Sequence, residues 1–202
     1  MDAYYSNQTA YSADGKPVKG ALWLNALEKR LPRPGVTQPV DAEFLLSCPG
    51  FPHLNCSIIK RELYLGIGGM DEGIRYECEV DLYLRTLDAA TLILYNPTII
   101  ARHNVPDAAQ KANVSTQVNR VGKLLSQTTI YQKNLATANS TAVQDRCRDK
   151  LTLAYKNLAQ EFAGERNFHR AATFARMALA FRYTIKWRLY CLQLELLAAL
   201  RG

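Results

Sequence analysis

Most side chains able to act on a substrate lie between His53 and His103. Glu79 and Asp81 open a stretch with helical patterning. A carboxylate there can take a proton from a hydroxyl, and a helix N-terminus favours a negative side chain by about 0.3–1 kcal/mol for structural reasons alone. Two positions along a helix differ by about 200°, so Glu79 and Asp81 cannot both face one cleft. Asp81 stands four residues before Arg85, the spacing of an ion pair within one helix, which gives it a structural or site-supporting role. Gly66, Gly68 and Gly69 suggest a phosphate loop, but the dinucleotide fingerprint needs a third glycine where Asp71 stands. The glycines instead predict a turn with positive φ. His53 and Asn55 share a loop (Phe-Pro-His-Leu-Asn), where a lone histidine is ordinarily a hydrogen-bonded surface residue. His103 could ligate a metal, but one histidine is no metal site. His169 falls among helices and reads as structural.

The elements that must position these groups can be read coarsely. Residues 2–12 are extended, and Asp14, Gly15 and Pro17 mark a turn. Leu22, Leu24, Leu27 and Leu31 form a short helical stripe that Pro32 and Pro34 close. Residues 32–43 read as loop. A strand is expected near 55–59, a short helix near 60–65, a glycine turn at 66–69 and a helix from about 79 to 88. Leu92 to Ala101 reads as a strand interrupted by Asn96-Pro97, which predicts an edge or a bulge. From about residue 110 the pattern is helical throughout, and no proline follows Pro106. Within it, Tyr155, Leu158, Ala159, Phe162, Ala171, Ala175 and Ala178 match the spacing of a tetratricopeptide helix pair, with Tyr183 where that repeat closes on proline. One such pair cannot bury its own apolar face, so it is expected to pack on its neighbours.

The 202 residues, 48% hydrophobic and 21% charged, fit one globular domain or a domain with a helical extension. The net charge of +7 is uneven: up to Val105 there are 10 Lys/Arg and 12 Asp/Glu, and from Pro106 onward 15 and 6. The basic half could meet an acidic protein or an anionic membrane surface. Nucleic acid is not expected, because no recognisable module or interleaved aromatic platform accompanies the charge. Five scattered cysteines without a C-x-x-C pair argue against a disulfide framework or a zinc centre. The N-terminus lacks an apolar signal core and no stretch has the length of a membrane span. The expectation is a cytoplasmic protein, able to lie peripherally on a membrane.

Gly68-Gly69-Met70-Asp71-Glu72, the run from Tyr76 to Arg85 (YECEVDLYLR), Tyr95-Asn96-Pro97 and Arg102-His103 together resemble the acceptor-side half of the family-two, GT-A type glycosyltransferases. That family has a G-G-F-D-E turn, an acidic pair leading into a D-L-W/Y-L-R helix, a Y-x-P strand and a histidine, in this order. Tyr4-Tyr5 through Asp14-Gly15-Lys16 is similar to the strand and D-G-K turn that follow the family's nucleotide-binding core. The resemblance covers residues 1–107, and the helical tail resembles one seen in some members. It implies an α/β fold: a partial GT-A type mixed sheet with flanking helices over 1–107, then an all-α extension over 108–202 holding the tetratricopeptide-like pair. It implies inverting sugar transfer from a nucleotide-sugar donor to a glycan, lipid or protein acceptor.

Under the resemblance Glu79 is the catalytic base, with Cys78 in place of the first acid of the pair. His53 and Asn55 lie by the acceptor, Gly68, Gly69 and Asp71 lie by the donor, and Asp81 supports or contacts substrate. His103 corresponds to a histidine that in some members reaches the metal or the diphosphate. A divalent metal, Mg or Mn, is implied, but its main ligands, the Asp-x-Asp and the strands that carry it, are absent from these residues. The only similar spacing, Glu79-Val80-Asp81, falls at the base motif. The expectation is therefore a partial enzyme, inactive by itself. The competing expectation is a non-catalytic interaction protein whose basic helical tail binds a protein partner.

Overall fold

A computed structural model describes residues 1–18, 24–107 and 114–201. The chain is α/β, with a four-stranded mixed sheet followed by helices. It forms two compact units, one of Met1–Gln117 with Ala138–Val143, the other of Val118–Thr137 with Gln144–Gly202. The boundary expected at 107/108 adjoins residues 108–113, which lie outside the described part, as does Leu22 of the leucine stripe.

In the first unit the strands are β1 (Ala3–Tyr11), β2 (Gln38–Val40), β3 (Ser57–Ile59) and β4 (Ile93–Asn104). Their order is β2-β4-β1-β3, with β1 and β4 parallel and the two short outer strands antiparallel to their neighbours. The helices are α1 (Ala42–Leu46), α2 (Arg61–Gly66), α3 (Cys78–Ala89) and α4 (Val114–Gln117). The leucine stripe becomes a 3-10 turn, Leu24–Arg30, in which Leu24 and Leu27 are buried at the three-residue spacing of that helix.

The interruption at Asn96-Pro97 is a bulge. Opposite Ser6 and Asn7 the partners jump from Asn96 to Ile99, and opposite Gln8 to Ala101. Among the described residues the strand is also one-sided there, because β2 pairs only with Ile93 to Tyr95. A bulge leaves ladder carbonyls without partners, and side chains of the two strands bridge the gap. Asn7 Nδ2 donates to the Pro97 carbonyl at 2.8 Å, and Asn96 Nδ2 donates to the Tyr4 hydroxyl at 2.7 Å. The Tyr95 hydroxyl lies 2.7 Å from Asn7 Oδ1 and 2.8 Å from the Leu24 carbonyl. These contacts account for the burial of Asn7 in an interior strand, while its neighbour Ser6 donates to the Cys56 carbonyl at 3.3 Å.

Residues 32–43, expected as loop, also contain β2 and the start of α1. Pro39 lies on an outer strand, where a missing N–H is tolerated. Asp41 caps α1 by accepting the Phe44 N–H at 2.7 Å. At the same end of the sheet, Asp2 Oδ2 accepts from the Thr91 N–H at 2.9 Å, the Thr91 hydroxyl at 2.6 Å and the Leu92 N–H at 2.9 Å. The Thr91 hydroxyl and then the two amides hold the Asp2 carboxyl down at about 2. Because that value lies below the ordinary 3.8, the carboxylate stabilises the fold above pH 3.8 and loses this effect as pH falls towards 2. Asp2→Asn should therefore lower the urea midpoint at pH 7. The gap from wild type should close below pH 2, and a gap independent of pH would refute the assignment.

The second unit is built from α5 (Arg120–Thr137), α6 (Thr141–Gly164, past its first turn), α7 (Phe168–Phe181) and α8 (Ile185–Arg201). All seven residues picked out by the repeat spacing are buried, whereas Tyr183 is exposed. Phe162 stacks on Phe174 at 5.5 Å, and Tyr155 lies against both Phe174 and Phe181. Ala171, Ala175 and Ala178 are fully covered, and Trp187 of α8 donates to the Ala175 carbonyl at 3.0 Å. Small residues on α7 let α8 approach that closely. No helix among the described residues is long and apolar enough to cross a membrane.

Candidate functional site

A cleft of about 440 Å³ in the first unit gathers three residues singled out by sequence, Glu79, His53 and His103, from segments far apart in the chain. Glu79 comes from the first turn of α3, His53 from the turn leading to β3, and His103 from the end of β4. Each is held locally. The His53 carbonyl accepts the Cys56 N–H at 3.0 Å and the Ser57 hydroxyl at 2.9 Å, fixing its loop. His103 extends the strand beyond the bulge, opposite Ala10 of β1. Glu77, before α3, takes a left-handed conformation (φ 57°), an unusual position for a residue with a side chain. Its carbonyl accepts the Val80 N–H at 2.9 Å and so starts the helix.

The two imidazoles lie in contact, ring centroids 4.4 Å apart and tilted by 35°, with Phe51 beyond His53 at 6.2 Å. Burial and then His53 lower the His103 pKa, while Glu79 pulls it back up. A histidine shifted below its ordinary value of about 6.5 is neutral at pH 7. The unfolded chain binds the proton first, so His103 subtracts stability as pH falls through that window and costs nothing above it. In an NMR titration His103 should titrate below free histidine. His53→Gln should raise its midpoint and Glu79→Gln should lower it further. An unshifted midpoint in both variants would break the pairing inferred from the geometry.

Sequence reasoning missed Arg75, Tyr76 and Glu77 as wall residues of this cleft. The available signal was their position just before the helix start, where the entering chain passes the same mouth as the first-turn carboxylate. Burial, then Glu77 and Glu79, push the Tyr76 phenol up, so it remains a hydrogen-bond donor. Cys78 Sγ lies 3.6 Å from Glu79 Oε2, and its thiol is pushed up by burial and by that carboxylate.

The other expected contacts lie elsewhere. Asp81 is fully buried rather than substrate-facing: its Oδ2 accepts from Arg85 Nε at 2.9 Å and Nη2 at 2.6 Å. The same guanidinium donates to the carbonyls of Ile67 at 2.6 Å and Gly69 at 2.7 Å. Asp81 is thus a positioning residue, and the 200° separation from Glu79 is its physical reason. Gly68 and Gly69 adopt φ of 84° and 65°. A Cβ on Gly69 would meet the Tyr64 ring at 3.1 Å, so this turn needs glycine for conformation and for space. Asp71 Oδ1 accepts the Gly73 N–H at 2.8 Å, and Asn55 is exposed beside the Arg102 carbonyl. None of Asn55, Gly68, Gly69, Asp71 or Asp81 lines the cleft.

Among the described residues no group of three or more His, Cys, Asp or Glu side chains is arranged to hold a metal ion. His103 has His53 as its neighbour rather than a set of carboxylates, so the residues present do not fit a divalent-metal centre. What the cleft offers is a half-buried carboxylate, a pair of imidazoles in contact, a protonated phenol and the Arg75 cation. That set can accept a proton from a bound hydroxyl and donate hydrogen bonds around it. Comparison with protein-family models, with curated proteins and with solved structures finds no match for this chain.

Proposed function

We propose that residues 1–107 are the acceptor-side half of an inverting, GT-A type glycosyltransferase of family two, with Glu79 as its base. The observation that carries the reading is the convergence of Glu79, His53 and His103 in one cleft. Those residues were singled out along the chain by the resemblance, and 50 positions separate the first from the last. The mixed sheet and the α3 helix that presents Glu79 support it further.

In the proposed step the acceptor hydroxyl binds against His53 and His103 with its proton towards Glu79. As the hydroxyl oxygen attacks the anomeric carbon, its proton passes to the Glu79 carboxylate. The bond from that carbon to the diphosphate oxygen breaks, and the nucleoside diphosphate leaves with the electron pair. The new glycosidic bond has inverted configuration. The His103 imidazole, held below its ordinary pKa by burial and by His53, can orient the hydroxyl without drawing the proton away from Glu79. Neutralising the leaving diphosphate is work for groups beyond this cleft, and Arg75 is the cation it contributes.

Acceptor binding tests the reading using this chain alone. With a panel of oligosaccharides titrated into the labelled protein, a true acceptor should shift the His53 and His103 ring signals and the amides of Cys78 to Val80. The amides of α8 should stay still. A panel of glycans, glycopeptides and lipid-linked sugars that moves none of the cleft signals would sink the proposal.

A further inference from the structure

The outer face of α8 carries a row of large apolar side chains with no cover: Ile185 is 73% exposed, Leu189 62%, Leu192 44%, Leu196 62% and Leu200 72%. The opposite face, with Cys191, Leu194 and Ala198, is buried. The row therefore adds nothing to the core of its own unit. At 100° per residue it occupies an arc of only about 80°. Arg188 and Glu195 border it on one side, and Lys186 and Gln193 on the other. That width matches a seam for one neighbouring helix, whereas a helix lying in a lipid surface presents a broader apolar face rimmed by cations.

Within the row, 185, 189, 192 and 196 are spaced four, three and four, which reads the same from either end, and Leu200 extends beyond this symmetric part. Such a seam complements itself under a two-fold axis. Laid antiparallel on a copy of itself, Ile185 meets Leu196 of the second copy and Leu189 meets Leu192, each contact occurring twice. The borders also agree. Arg188 and Glu195 are seven residues apart on the same side, so antiparallel pairing sets each Arg188 near Glu195 of the second copy. On the other side Lys186 meets Gln193, so no like charges face each other. Within its own chain Glu195 lies 3.3 Å from Arg176 and 3.6 Å from Cys191 Sγ, contacts that keep the half-buried carboxylate on this border. The net charge of +7 per copy opposes association, but at physiological salt it is screened beyond about 8 Å.

We propose that two copies of this chain associate through α8 as an antiparallel helix pair, with the two-fold axis passing near Tyr190 and Cys191. The seam is short relative to the roughly 1,200 Å² of a standard interface, so the dimer dissociates on the order of micromolar concentration. Sedimentation of the full chain over a concentration series tests this. Wild type should pass from monomer to dimer mass. Leu192→Glu, which sets acidic groups against the seam at an exposed position, should remain monomeric with unchanged helicity. Arg188→Glu should weaken the dimer about tenfold, and Arg188→Glu combined with Glu195→Arg should restore it. The swap leaves the apolar seam untouched, so it reads the register even if Leu192→Glu were to misfold. Wild type monomeric at every concentration, a dimer indifferent to Leu192→Glu, or a swap that fails to restore association would each overturn the proposal.

Discussion

Glu79→Gln should cut sugar transfer by about 10²–10⁴-fold, the usual contribution of a positioned general base. Glutamine keeps the length and shape of the side chain but has no lone pair basic enough to take the acceptor proton. The loss should appear in kcat, with acceptor affinity nearly unchanged, since the amide still hydrogen-bonds a hydroxyl. Glu79→Asp should retain part of the rate, because a carboxylate remains and is only drawn back by one methylene. Under the proposed function, the measurement is acceptor-dependent release of nucleoside diphosphate by this chain supplied with a donor-binding half. Transfer by Glu79→Gln at the wild-type rate would remove Glu79 from the mechanism and leave Tyr76 and Glu77 as the remaining cleft groups to test.

The second large effect is on stability. Arg85→Met should cost about 3–5 kcal/mol, the range seen when one partner of a buried ion pair is removed. Asp81 is fully buried and Arg85 only 15% exposed, so little solvent is at hand to screen or replace the pair. The variant also leaves the Ile67 and Gly69 carbonyls without their guanidinium donors. Arg85→Lys should recover little, because an ammonium cannot span a carboxylate and two carbonyls as a planar fork does. Asp81→Leu with Arg85→Met should lose less than Arg85→Met alone, since no buried charge is then stranded. Urea unfolding followed by circular dichroism reads all three. A loss below about 1 kcal/mol for Arg85→Met would mean the pair behaves as a surface contact.

What could be read in the sequence was local. The Asp81–Arg85 spacing, the helix carrying Glu79, the glycine turn and the bulge at Asn96-Pro97 each follow from chemistry within a few residues. Ser6 and Asn7 were not legible as interior, because the Asn7 amide answers a carbonyl freed by a bulge 90 residues later and the Ser6 hydroxyl one 50 residues away. β2 was hidden by proline density, although Pro39 is tolerable on an outer strand and Asp41 carried a readable cap signal. The cleft itself depends on pairing between β1 and β4, which no periodicity encodes. His53, Glu79 and His103 were joined only through the resemblance, and the wall residues Arg75, Tyr76 and Glu77 were missed because their role is set by where the chain enters α3.

The irregularity in β4 also sets a rule for which length changes this protein can accept. From Ser6 to Gln8 β1 advances two residues, while β4 advances five, from Asn96 to Ala101. The surplus of three is taken up within the bulge, and beyond it each residue of β4 again lies opposite one residue of β1. Facing partners in a ladder share a face of the sheet, so His103 is aimed by its pairing with Ala10. Length changes between Pro97 and Ile100 should therefore be absorbed without turning the imidazole for as long as that pairing holds. A slip of the register by one residue beyond Ile100 would instead turn it to the far face.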